Sequence, residues 1–394
     1  MGTVRAGHPG GGVIRDTPLG AALVVALFAA GVSGSSSAAP VDGTFSIVGY
    51  DSTTGELGVA VASRAIAGGN FGPWALAGVG AIAAQGNGNP SWGVLGIQML
   101  GEGISVSRMV DSLWRADPAG MSCQIGALDR RGVPGGFTGN RTLFWSGGLL
   151  DWCLAAQGTG LTSHEVVDAM ADSFRVNQGV TLAERLLGSL VAGEARGGAA
   201  SGGLRSAALL VVRPSRRHPE FNARYISLRL DDREAPIAEL VRLYRAYEGE
   251  RLIEERLEFA DEFEGAGKKT DRELELGSVR ALVARVLADS TATAAELNAT
   301  AWAIGSRGLW LPQAAALAQR ATALEPANPA YLDTEAEIRL RLKRPSEALE
   351  IERKALALAP GDEFLAARVA EFEKALKDAQ ASGGAKKGGG KKKR

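Results

Sequence analysis

The sequence predicts an α+β layered domain followed by an all-α region. Three observations carry that reading. Residues 43–64 read as a β-hairpin, runs of strand pattern alternate with pairs of helical pattern up to about residue 250, and a 34-residue period appears in the alanine- and leucine-rich stretch beyond. With 394 residues the chain is long enough for two or three domains, and 45% hydrophobic with 22% charged residues is the composition of ordinary globular protein. Formal net charge is zero, so no global field points to a specific nucleic-acid partner.

Residues 1–39 have the pattern of a secretory leader. Arg5 and Arg15 precede an apolar run from Leu19 to Val32, which is short for a bilayer span, and small residues from Ser33 to Ala39 suit cleavage near Ala38 or Ala39. The expectation is a secreted or periplasmic protein without a stable membrane span after cleavage. An uncleaved leader acting as an anchor is the alternative. In such a compartment Cys123 and Cys153 are open to pairing, and two buried free thiols are as consistent with the sequence.

Gly43–Tyr50 and Leu57–Arg64 flank Asp51-Ser52-Thr53-Thr54-Gly55-Glu56, a run of turn formers. If Tyr50 faces Leu57, antiparallel counting sets Val48 opposite Val59, Ser46 opposite Val61 and Thr44 opposite Ser63. Gly78–Gly86 is small and apolar enough for a central strand, with a polar turn from Asn87 to Gly93. Val94–Leu100 and Ser105–Trp114 have helical spacing, with Val106, Met109, Val110 and Leu113 on one face, and Asp117-Pro118 stops the second helix. Ser122–Leu128, Gly136–Gly139 and Trp152–Gln157 read as strands. Thr162-Ser163-His164-Glu165 reads as a capping box before helix Val166–Phe174, and Thr181–Ala195 as a second helix. Gly197–Gly203 reads as a flexible loop, Ser206–Val212 and Arg224–Leu230 as a closing strand pair, and Ile237–Tyr247 as a helix. Domain boundaries follow at 44–248 for the layered domain, 249–285 for a charged connector helix and linker, 286–378 for helical repeats and 379–394 for a disordered basic tail.

The repeat rests on Ala321-Thr322-Ala323-Leu324-Glu325-Pro326, which recurs as Ala355-Leu356-Ala357-Leu358-Ala359-Pro360, with Leu297 and Tyr331, Ile304 and Ile338, Ala314 and Ala348 at the same offset. In helical sequence this resembles tetratricopeptide repeats, units that stack and present a surface to a protein or peptide partner. Self-association to a homo-oligomer is left open by the sequence.

Most catalytic signatures are missing. Gly78-x-Gly80-x-x-Ala83 lacks the helix and the acid of a dinucleotide site, and no Gly-rich loop ends in Gly-Lys-Ser or Gly-Lys-Thr. Outside the leader only His164 and His218 are histidines, too few for an obvious Ser-His-Asp triad, and Ser146 is not in a nucleophile elbow. No Cys/His spacing suggests a metal, and no cofactor is expected. What remains is Thr44 after a Gly-Thr bond, close downstream of the leader. A threonine freed at a chain start carries its own general base, because its α-amine takes the hydroxyl proton.

Thr44–Val48, Gly55–Arg64, Pro73-Trp74-Ala75, Ala77–Ala81, Gln85, Ser206–Val212 and Arg224–Asp232 together resemble the family known as domain of unknown function 1028, over about residues 44–248. That resemblance implies a four-layer αββα fold of the N-terminal nucleophile hydrolase kind and an amide or peptide-like substrate. It places Thr44 at the nucleophile position, and Ser63, Arg64, Gln85, Gln157, Arg205 and Ser206 at polar positions of the pattern. It implies that backbone N–H groups with Gln85 or Ser206 hold an oxyanion, and that Arg64 or Arg205 keeps the amine neutral or anchors a carboxylate. Two positions depart from it: Gly197-Gly198-Ala199-Ala200 stands where relatives usually read Gly-Gly-Asp, and Asp231-Asp232-Arg233 where they read Asp-Asp-His. These losses motivate a second reading, a non-catalytic binding protein whose repeats recruit a peptide or cell-envelope partner.

Overall fold

A computed structural model describes residues 43–86, 89–142, 144–177, 179–214 and 224–388. The expected leader, His218 and the last residues of the basic tail lie outside the described residues.

The hairpin forms as counted. β1 (Thr44–Tyr50) pairs antiparallel with β2 (Leu57–Ser63), with Thr44 opposite Ser63, Ser46 opposite Val61 and Tyr50 opposite Leu57. The turn closes because Asp51 Oδ1 accepts from the backbone N–H of Thr53 (2.8 Å) and Thr54 (3.2 Å), while Gly55 takes φ +74°. The strand alternation then sorts the two faces. Phe45 and Ile47 point to covering helices, and Val48, Leu57 and Val59 point to a second sheet.

Two antiparallel sheets result. The first has the order β10-β9-β2-β1-β8-β7 and adds β7 (Trp145–Asp151), β8 (Leu154–Leu161), β9 (Ser206–Val212) and β10 (Arg224–Leu230). The second has the order β3-β4-β5-β6, from β3 (Pro73–Leu76), β4 (Gly80–Gly86), β5 (Cys123–Asp129) and β6 (Pro134–Thr138). α1 (Ser91–Gly101) and α2 (Val106–Ala116) cover the second sheet, and the expected face of Val106, Met109, Val110 and Leu113 is the buried one. α3 (Glu165–Val176), α4 (Leu182–Ala195) and α5 (Pro236–Tyr247) pack into the core on the outer face of the first sheet. The layers therefore run helix, sheet, sheet, helix, as the sequence led one to expect. Gly49 permits the close seat of α3, since a Cβ there would lie 2.7 Å from the Phe174 ring.

Local expectations differ from the structure at four places. α1 begins at Ser91, inside the expected polar turn. β3 and β7 are strands the sequence reading did not separate, β7 because its Ser146-Gly147-Gly148 run lacks an apolar alternation. The capping box expected at Thr162–Glu165 does not form: His164 precedes the helix without a side-chain cap, whereas Thr181 with Glu184 and Thr293 with Glu296 make reciprocal boxes. The Gly197–Gly203 loop is tied down, with Thr162 N–H donating to Gly198 O (3.1 Å) and Ala200 N–H to Gly160 O (2.9 Å).

After a π-helical turn at Glu248–Leu252, the chain forms α6 (Ile253–Gly265) and α7 (Lys269–Ala288). The charged stretch from Glu248 to Glu275 is built into the core here. Leu252, Ile253, Leu257 and Phe259 join the apolar cluster that contains Phe45. Arg256 and Glu275 meet Glu56 of the hairpin turn and Arg213 beyond β9 in a four-charge group whose side chains are each 2% exposed. Helical hairpins follow: α8 (Ala294–Gly305) with α9 (Leu311–Leu324), α10 (Pro329–Arg341) with α11 (Pro345–Leu358), then α12 (Glu363–Gly388). Leu311 and Pro345 open equivalent helices 34 positions apart, as do Pro329 and Glu363, so the sequence period is a structural period. α12 runs into the stretch expected to be disordered. Among the described residues no helix is long and apolar enough to cross a membrane.

Candidate functional site

The strand register gathers a row of hydroxyls across four adjacent strands. Ser206 of β9 lies opposite Ser63 of β2, Ser63 opposite Thr44 of β1, and Thr44 opposite Thr159 of β8. All four are at least nine-tenths buried, with Thr44 the most open at 9% exposure. They occupy the strand phase that faces the second sheet. Thr44 Oγ1 and Ser63 Oγ are 2.7 Å apart, and Ser63 Oγ accepts from the Ala65 N–H at 3.1 Å.

A second polar row lies two residues further along the strands. Ser46 and Gln157 come from the first sheet, where they pair directly, and Gln85 and Gln124 from the second, where they pair as well. Their hydrogen bonds run in one direction. Gln157 Nε2 donates to Ser46 Oγ (2.7 Å), Ser46 Oγ to Gln85 Oε1 (2.6 Å), Gln85 Nε2 to Gln124 Oε1 (2.6 Å), and Gln124 Nε2 to the Gly158 carbonyl (3.0 Å). Gln85 Nε2 also donates to the Thr44 carbonyl at 3.1 Å. This chain fixes the backbone of Thr44 from below, and in a dry interior such a network holds one geometry because an unmade bond is costly. Two buried acceptors beside it, Gln157 Oε1 and Thr159 Oγ1, have no partner among the described residues.

The N-terminal side of Thr44 is walled by Gly43, Arg64 and the tied loop. Gly43 has φ +133°, and a Cβ there would lie 2.5 Å from Arg64 Cδ and 2.9 Å from Ala199 Cβ. Its carbonyl accepts from the Arg64 N–H at 2.9 Å, and Arg64 Nη1 donates to Ser201 Oγ. Ala199 therefore adjoins the peptide that precedes Thr44.

The other sequence candidates are placed as follows. Arg205 belongs to the row by its backbone, whose N–H donates to Ser63 O at 2.8 Å, but its guanidinium turns to Asp232 (Nε to Oδ1, 2.9 Å) on the surface. The Ser206 hydroxyl is spent on the loop after β2, donating to Ala65 O (2.7 Å) and accepting from the Gly68 N–H (3.1 Å). His164 pairs with Asp168 at 2.7 Å on the exposed start of α3. Cys123 and Cys153 are free and buried, and burial pushes both thiols up to about 11, which keeps them protonated and poorly nucleophilic at neutral pH. Among the described residues no group of three or more His, Cys, Asp or Glu is arranged to hold a metal ion. Sequence reasoning missed Ser46, Gln124 and Thr159. The hairpin count already put Ser46 on the Thr44 face, and Gln124 is the one polar side chain inside β5, whose far end is Asp129.

Fold and site define a class: an αββα sandwich with a threonine at the first position of a central strand, extended by stacked helical hairpins. The chain belongs to the family of unknown function DUF1028, whose family model matches residues 44–240. It is similar to the crystal structure of protein SPO2555 from Silicibacter pomeroyi, a DUF1028 protein, with 30% identity, 52% of this chain and 88% of that chain covered, and a TM-score of 0.47. It is also similar to the NMR structure of the first TPR domain of human RPAP3, with 14% identity over 35% of this chain and 98% of that one, at a TM-score of 0.26. No curated protein matches the chain.

Proposed function

We propose that the chain is a latent amidohydrolase of the N-terminal nucleophile type, with Thr44 as nucleophile once the Gly43–Thr44 bond is broken. The observation that carries this reading is the seat of Thr44. Its hydroxyl lies 2.7 Å from Ser63 Oγ, its carbonyl is held by Gln85, and it opens the central strand. Among the described residues Thr44 Oγ1 is hydrogen-bonded to no carboxylate or imidazole, so a base has to come from Thr44 itself. A free α-amine titrates at about 7.7–8.0, suited to that task near neutral pH.

In this reaction Thr44 Oγ1 adds to the amide carbon as its proton passes to the α-amine. The tetrahedral oxyanion takes hydrogen bonds from backbone N–H groups and the Thr159 hydroxyl, which has no partner among the described residues. The C–N bond breaks with the proton delivered to the leaving nitrogen. Water then adds to the ester, its proton taken by the same amine, and the acid product departs with Thr44 restored. No metal or cofactor enters the scheme. The leader-like pattern supports action outside the cytosol, and the helical hairpins support recruitment of a protein or peptide partner.

The test compares three chains on a panel of acyl-amides: one whose first residue is Thr44, the same chain with Thr44→Ala, and one retaining Gly43. Turnover only in the first, with an acyl adduct on Thr44 by mass spectrometry, supports the reading; no turnover or adduct in any of them contradicts it. A second reading, an αββα binding module without turnover, is favoured by one observation. The side chain beside Gly43 is the methyl group of Ala199, which cannot orient a free amine by charge.

A further inference from the structure

A cavity of about 420 Å³ opens between the sandwich and the helical array, and none of its lining residues belongs to the Thr44 cluster. That volume is in the range of small-molecule pockets. Its walls come from α4, α5, the π-helical turn, α7 and the start of α8. π-helical turns are rare and recur at functional sites because the extra residue redirects a side chain. Here the turn puts Glu248 and Gly249 into the cavity wall. Leu187, Val191, Val241 and Val286 make an apolar side, while Glu184, Glu248, Asp289 and Glu296 oppose only Arg245 and Arg285. Arg285 is already shared by Glu184 and Glu248, the latter at 2.5 Å. The lining therefore carries two carboxylates in excess of its cations, beside an apolar wall.

We propose that this cavity binds a small amphipathic amine, its alkyl or aryl body against the valines and its ammonium group beside Glu248. An anion is disfavoured, because both arginines face an excess of carboxylates, and a neutral apolar ligand leaves the buried charge uncompensated. The site is independent of the Thr44 chemistry. Binding depends on pH. Burial pushes the Glu248 carboxyl up to about 7, with Arg285 pulling it down and Glu184 pushing it up. The groups that face it are Arg285, Glu184 and Tyr244, with Arg245, Asp289 and Glu296 completing the charged lining. Below about pH 7 the carboxyl is neutral and holds a cation weakly. Above it the carboxylate forms, so affinity rises from pH 6 to pH 8 and binding near pH 7 releases a proton.

Calorimetry on the full chain with n-hexylamine, hexan-1-ol and hexanoate tests this. The expected result is saturable hexylamine binding with a Kd of about 1 mM or tighter, at least about tenfold weaker for the alcohol and the acid. Glu248→Gln should weaken hexylamine about tenfold and remove the rise with pH. Val241→Trp, which fills the apolar side with every charge intact, should abolish binding, and circular dichroism confirms that each variant is folded. Failure of the wild type to bind hexylamine below about 10 mM overturns the proposal, as does equal binding of hexanoate. Wild-type affinity in both variants overturns it too. If Glu248→Gln does not fold, the ligand comparison and Val241→Trp decide.

Discussion

Replacing Glu275 by alanine should unfold the junction between sandwich and helices far more readily than any surface charge change. Glu275 bridges two arginines, to Arg213 Nη2 at 2.6 Å and to Arg256 Nη1 at 3.1 Å. Glu56 holds the same pair more loosely, at 3.3 and 3.6 Å. All four side chains are 2% exposed, so without Glu275 two buried guanidiniums share one carboxylate and one positive charge is left uncompensated. Breaking a buried pair from one side costs about 3–5 kcal/mol. At about 2 °C per kcal/mol for a unit this large, Tm should fall by about 6–10 °C. The double variant Glu275→Leu with Arg256→Met removes one charge of each sign and leaves the Arg213–Glu56 pair. It should recover at least about half of the loss, since the penalty belongs to the unpaired charge. Lys354→Ala breaks a fully exposed pair with Glu350 and should leave the melting temperature close to that of wild type. Thermal unfolding followed by circular dichroism reads all three. A Glu275→Ala protein melting within about 1 °C of wild type would refute the reasoning, and so would a double variant no better than the single.

Three further outcomes follow from the same geometry. Glu352 of α11 is fully buried, and its carboxyl is pushed up to about 8, by burial first and then by Asp333, so the folded state favours its neutral form. That contribution is complete below about pH 4.5 and is lost as pH rises through about 8, so Glu352→Gln should gain about 1–3 kcal/mol on wild type between pH 5 and pH 8 in urea unfolding. Gly43→Ala places a Cβ 2.5 Å from Arg64 Cδ at φ +133°, and should cost about 1–3 kcal/mol in the same assay. Ala199→Asp places a carboxylate beside the peptide before Thr44. In the chain beginning at Thr44 it should raise amide turnover by about tenfold, read as kcat/KM, if a free amine is the base.

The hairpin was legible because its turn chemistry and its alternation agreed, and register followed by counting. That count carried Thr44, Ser63 and Ser46 to one face, three of the eight side chains in the two polar rows. The rest depends on pairing with β8 and β9 and on a sheet-to-sheet approach, which no local pattern encodes. Gln85 and Gln124 lie 39 positions apart and meet only because β4 and β5 pair and then stack on β1 and β8. Charge misled where it was most conspicuous. Glu248–Glu275 reads as a charged connector helix and linker, yet Arg256 and Glu275 are buried because Arg213 and Glu56, distant in sequence, complete them. Arg205 and Ser206 share the site by backbone register while their side chains serve Asp232 and the loop after β2.

The most direct measurement is the mass of the N-terminal peptide of the protein from its native host, taken with and without an electrophilic acylating probe. The account predicts a chain that starts at Thr44, with one probe equivalent on that residue and none after Thr44→Ala. A working protein in which Thr44 keeps its peptide bond to Gly43 and takes no label would contradict it.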